Sequence, residues 1–169
     1  MASYRERLQL VVSCVTNLVV HGKSVSRSGR DDETRAFALN NGVPVPIAGT
    51  TPLLLRVQQH CILTQDIEVP SRQWSISLVG YMYTLQLRDL TEVVAYQWHP
   101  QRTIDLPYPH IHFGPASARP DSAVRPGELH KVHFPTSIVS IEDVIHLVIT
   151  EFQVEPRRPD WEAILGTRA

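Results

Sequence analysis

From Tyr4 to Val20, the residues Leu8, Val11, Val12, Val15, Leu18 and Val19 recur at intervals of three and four, with Glu6, Gln9, Ser13, Thr16 and Asn17 on the other side. That spacing predicts an amphipathic helix, although its Val-rich end also suits a strand. The small, polar and charged segment of about 21–33, opening HGKSVSRSGRDD, reads as an exposed, mobile loop. NNGVPVPIAGTT, from Asn40 to Thr51, reads as a second connector. Thr51-Pro52 resembles a helix start, and Leu53, Leu54, Val57 and Cys61 then fit a short helix or a strand.

Beyond Pro70, WSISLVGYMYTLQL alternates Trp74, Ile76 and Leu78, then shifts phase to Tyr81, Tyr83, Leu85 and Leu87, which predicts a strand with a bulge at Gly80. EVVAYQWH, with Val94, Tyr96 and Trp98 on one face, predicts an antiparallel neighbour, and HIHFG a short third strand. Residues 115–128 are Pro-rich and irregular. Ser140 with Asp143 three residues later forms a capping box, and Ile141, Val144, Ile145, Val148, Ile149 and Phe152 continue at helical spacing until Pro156. A last short helix is expected over 159–165, ended by Gly166.

These elements predict one α+β domain. Its curved antiparallel sheet has about four to six strands, near 62–69, 73–87, 92–99 and 109–114. The helix over 141–153 covers one face, and the N-terminal helix packs there too. A length of 169 residues, 43% hydrophobic and 20% charged, suits one such domain. The near balance of 16 Lys and Arg against 17 Asp and Glu gives a net charge of −1, so general or sequence-specific DNA binding through bulk charge is not expected. No stretch of about 20 apolar residues occurs, so no membrane span is expected. Cys14 and Cys61 lie in apolar surroundings without a paired spacing, which fits a reduced, cytoplasmic chain. Phosphate-cradling, dinucleotide-binding and nucleophile-elbow motifs are absent. The aromatic residues around Trp74, Trp98, Trp161, Tyr81, Tyr83 and Tyr96 are expected in the core rather than as a base-stacking surface.

The candidate chemistry lies in the histidines. Of eight, His99, His110, His112, His130 and His133 fall within residues 99–133. Side-chain alternation puts His110 and His112 on one strand face. A hairpin pairing residue 99 with 110 and 97 with 112 would bring His99 alongside both. Two chemistries want three imidazoles together. Zinc or another divalent transition metal takes three neutral ring nitrogens, here His99, His110 and His112. Alternatively, His110 or His112 acts as general base beside His99 in cleaving RNA, with Arg102, Arg125 or Lys131 stabilising phosphorane charge. His130 and His133 are secondary binding candidates, and His146 is expected on a solvated helix face. A structural or incidental cluster, with no cofactor and no catalysis, stands beside both. So does an interaction module that binds a partner protein through the 115–128 loop. Oligomeric state is left open.

Trp98-His99-Pro100, then Pro109-His110-Ile111-His112, then His133-Phe134-Pro135-Thr136 and SIVSIEDVIHLVITEF, occur in an order that resembles small uncharacterised bacterial proteins similar to the TumE family of toxin–antitoxin toxins. The resemblance covers about residues 74–165. It implies a cytoplasmic toxin with ribonuclease activity and an antitoxin partner, His110 and His112 being the matching positions. The cupin metal motif does not transfer, because Phe113, Gly114, Pro115 and Ala116 follow His112 where a glutamate is needed. The histidine-triad motif does not transfer either, because Gly114 stands where its last His belongs.

Overall fold

The structure, a computed structural model, describes residues 2–28, 32–49, 52–65, 74–100, 106–115 and 131–166. The chain runs α1 (Ala2–Val12), β1 (Val20–Ser28), β2 (Asp32–Leu39), a single 3-10 turn (Asn40–Gly42), β3 (Val45–Pro46), β4 (Leu53–Gln65), β5 (Trp74–Leu87), β6 (Glu92–Trp98), β7 (His110–Phe113), β8 (Phe134–Pro135), α2 (Ile141–Thr150) and α3 (Trp161–Leu165). All eight strands join one antiparallel sheet in the order β1-β2-β4-β5-β6-β7-β8, with β3 pairing β4. The fold is therefore α+β as expected, with more strands than four to six. No helix among the described residues is long and apolar enough to cross a membrane.

The sheet's two faces differ because strand side chains alternate. Leu53, Leu55, Val57, Cys61 and Leu63 of β4 face inward with Tyr81, Tyr83 and Leu85 of β5 and Val94 of β6. Against them pack Leu8, Val11 and Val12 of α1, five apolar residues of α2 from Ile141 to Ile149, and Ile164 and Leu165 of α3. Burying each large aliphatic chain contributes about 1.5–3 kcal/mol. A polar chain is built into this core. Tyr4 donates to Gln59 Oε1 at 2.9 Å, and Gln59 Nε2 donates to the Tyr83 hydroxyl at 2.6 Å, so α1 is tied to the sheet by bonds that satisfy all three groups. Burial pushes the Tyr4 and Tyr83 hydroxyls far above their ordinary range, so both stay neutral. The Val139 amide donates to Tyr81 at 3.1 Å and seats the start of α2, which the Ser140–Asp143 capping box then closes as predicted.

Three expectations need correction. α1 stops at Val12 rather than continuing to Val20. Beyond it the chain tightens, with Cys14 and Val15 donating to the carbonyls of Val11 and Val12, and Val20 already begins β1. The expected loop of about 21–33 is instead mostly the β1–β2 hairpin. Gly22, which reads as a loop signal, is a strand position whose missing side chain makes room for the Phe37 ring. A Cβ there would lie 2.9 Å from it. The 62–69 strand begins earlier, at Leu53, and its residues beyond Gln65 lie outside the described residues. The phase change near Gly80 is a bulge: His60 pairs with Gly80 and Cys61 with Leu78. Trp98 O would lie 3.0 Å from a Cβ on that glycine. The 115–128 loop lies outside the described residues except Pro115.

Gly114 closes the end of β7 and so helps fix the site described below. Its amide donates to the Val93 carbonyl at 2.9 Å, and a Cβ there would collide with the Glu92 backbone carbonyl. Gly114→Ala is expected to lower stability by about 1–3 kcal/mol, the usual cost of overpacking, read as a lower urea midpoint at unchanged slope. An unchanged midpoint would show that this approach of the two strands is not required.

Candidate functional site

The ladder between β6 and β7 pairs Gln97 with His110, Ala95 with His112, Tyr96 with Ile111 and Val94 with Phe113. His99 therefore does not oppose His110, as the sequence led us to expect. The register is displaced by two residues, because β6 ends at Trp98 and the chain turns away through His99-Pro100 into a longer connection. A two-residue shift keeps every side chain on its face. His110 and His112 thus remain side by side on the face opposite α1 and α2. His99 is half-buried and engaged in its own interaction just past the strand end.

The partner brought to His110 and His112 is His133, immediately before β8. β8 pairs His110 with Pro135 and Ile111 with Phe134, so the same ladder carried one step further sets His133 across from His112. The ring centroids lie 5.0 Å apart for His110–His133, 5.6 Å for His112–His133 and 6.2 Å for His110–His112. Burial differs among them. His110 is 3% exposed, the His112 side chain 15%, and His133 is the most exposed of the three.

Two of the three rings are anchored by one nitrogen. His110 Nδ1 lies 3.0 Å from the Tyr108 carbonyl, which accepts from the ring. His112 Nδ1 lies 3.0 Å from the Glu92 carboxylate. Anchoring fixes tautomer and ring orientation, so the unanchored nitrogen becomes the reactive one. Partial burial, then the neighbouring His110 and His112 rings, lower the pKa of His133 below the ordinary 6.5, so it is neutral near pH 7. Among the described residues, no set of three His, Cys, Asp or Glu side chains is already gathered closely enough to hold a metal ion.

Arg102, Arg125 and His130 lie outside the described residues. Lys131 is exposed, two residues before His133. His146 is not simply solvated, since its ring packs 5.8 Å from Trp161. The sequence reading missed Glu92, although its position at the start of a strand next to the His-x-His strand was a usable signal. It also missed Arg56, Thr84 and Gln97, which lie on the same sheet face. The pattern that gives them away is the alternation of Arg56, Gln58 and His60 with Leu55, Val57 and Gln59 along β4, hidden while helix and strand were both open there.

His133 is expected to titrate below 6.5 by NMR, and to move back toward that value when His110 and His112 are both replaced by Ala. Because the native state resists this proton, the unfolded chain binds more protons below about pH 6.5, so stability falls on acidification through that range. His133→Gln should flatten this part of the stability curve. A His133 that titrates at or above the ordinary value would contradict the arrangement. No protein-family model matches the chain, and comparison with curated proteins and with solved structures finds no match.

Proposed function

We propose that the histidine cluster is an acid–base site that cleaves RNA through its own 2′-hydroxyl. The observation that carries this reading is the Glu92–His112 pair at 3.0 Å, set beside a second imidazole, His133, that is held neutral. Such a site needs one imidazole able to take a proton and another able to give one. His133 is the base: its free nitrogen takes the 2′-hydroxyl proton as the oxygen attacks phosphorus. His112 is the acid: it gives its proton to the 5′-oxygen as the P–O5′ bond breaks. The Glu92 carboxylate faces the charged imidazolium, as the third member of a catalytic triad does. The products are a 2′,3′-cyclic phosphate and a 5′-hydroxyl, with protons balanced between the two rings. His110, buried and anchored to Tyr108, positions the pair. This reverses the sequence expectation that His110 or His112 is the base. The resemblance to TumE-type toxins, whose matching positions are His110 and His112, suggests a cytoplasmic toxin-like role with an antitoxin partner.

The test is cleavage of a labelled RNA alongside the same strand with 2′-deoxy sugars. RNA should be cut and the deoxy strand left intact. His112→Ala and His133→Ala should each lower the rate by about 10²-fold or more, within the range for lost acid–base catalysis. Glu92→Gln should lower it less. Cutting that is unaffected by either histidine replacement would overturn the reading.

A second reading rests on the anchoring of His110 and His112, which is how metal-bound imidazoles are usually held by their other nitrogen. In that case His110, His112 and His133 hold zinc or another divalent transition ion. Metal analysis of tag-free protein decides it. About one equivalent that is lost in His110→Ala/His112→Ala would favour metal-dependent hydrolysis, because three-ligand sites of this kind hold one ion.

A further inference from the structure

We propose that the sheet face carrying the histidine cluster is a track for the backbone of a single strand of RNA, with Arg56 as the seat for a phosphate flanking the one that is cut. The inference rests on the RNA reading above for its ligand, but on different residues. Arg56 lies in the middle of this face. Its β4 position pairs with Thr84, Thr84 with Ala95, and Ala95 with His112, so the arginine and the His112 imidazole share one row and flank the small, buried side chains of Thr84 and Ala95. Three strand spacings separate their Cα atoms by about 14 Å along the sheet. Side chains stand roughly perpendicular to a sheet, so that spacing suits neighbouring phosphates of one strand rather than a single shared one.

Arg56 also has an unmet donor. It is half-buried, and its Nε is cut off from solvent without a hydrogen-bond acceptor. No carboxylate occupies the described positions of its row or of the adjacent row through Gln58, and Glu92 is already engaged by His112. A guanidinium left in this state is a ready fork for a phosphate oxygen pair.

The face continues past Arg56 in the same chemistry. A second row runs unbroken from His110 through Gln97, Met82, Gln58 and Ala38 to His21. At its far end, Ala36 and Ala38 of β2 form the floor of a cavity of about 370 Å³, with His21 and Lys23 on one wall and Gln58 and His60 on the other. Burial, then the Lys23 charge, lowers the pKa of His60, so the wall carries one fixed cation and donors that do not repel it. A net charge of −1 overall is compatible with this local stripe, because the attraction that matters is set within a Debye length of the strand.

Binding of a fluorescent oligodeoxynucleotide tests the track separately from cleavage, since a strand without 2′-hydroxyls is not cut by the proposed chemistry. Arg56→Ala should weaken binding of a long oligonucleotide about tenfold, as loss of a charged hydrogen bond does, and lower the salt slope by about 0.7. Arg56→Lys should recover part of it. A dinucleotide, which has no phosphate beyond the one at the histidines, should bind equally well to both proteins. Arg158→Ala, which removes a charge already paired with Asp160, should leave binding unchanged. Equal binding by wild type and Arg56→Ala, or an equal loss with Arg158→Ala, overturns the track even if RNA is cleaved. Arg56-dependent binding without any cleavage supports the track and counts against the catalytic reading.

Discussion

The pairing of β6 with β7, sealed by the close approach of Gly114 to Glu92, is the constraint on which the candidate site depends. The Gly114 amide bonds to Val93, and the absence of a side chain there lets the β7 end lie directly on the Glu92 backbone. That contact sets where the Glu92 carboxylate emerges, and the ladder sets where His112 emerges. Their 3.0 Å ion pair is the result of both. β8 then needs only two residues to bring the chain alongside β7 and set His133 near His110 and His112. Strand pairing of this kind is directional and discrete, so a site built on it is held by backbone bonds rather than by the side chains that do chemistry.

The sheet divides the protein's physical tasks between its faces. On one, aliphatic and aromatic side chains meet three helices, and the one polar chain there, Tyr4–Gln59–Tyr83, is satisfied end to end. On the other, polar and basic groups are left with unequal partners. Glu92 answers His112, the Tyr108 carbonyl answers His110, and Arg56 has no acceptor for its Nε. Internal satisfaction on the core face makes the fold, whereas unspent hydrogen-bonding capacity on the other face is what a ligand would meet. The strand alternation that creates the core creates this second surface as well, because residues i and i+1 cannot share a face.

Much of the architecture follows from periodicity alone. α2 with its capping box, the bulge beside Gly80 and the strands at Trp74–Leu87, Glu92–Trp98 and His110–Phe113 are all readable, since each depends on neighbours within a few positions. The β1–β2 hairpin is not readable in this way. Its inward positions include Gly22 and its outward ones are His21 and Lys23, so the segment has the composition of a loop, and only Phe37 across the ladder explains the glycine. The extra length of the supposed N-terminal helix fails for a related reason: Val15, Leu18 and Val19 satisfy helical spacing, but the chain has to leave the helix to start the edge of a sheet.

The site divides along the same line. The sequence by itself determined that His110 and His112 share a face, because alternation in a strand is fixed by covalent geometry. It determined neither which histidine joins them nor what holds them. His99 and His133 lie 11 and 23 residues from His110 in sequence, and only the ladders decide between them. A two-residue displacement of register cost no side chain its face, so the pattern of apolar and polar positions carries no information that distinguishes the two pairings. The tertiary structure settled that choice through the β6–β7 and β7–β8 ladders and the contact at Gly114. It likewise put Arg56 on the same face as the imidazoles, by hydrogen bonds between strands far apart in the chain.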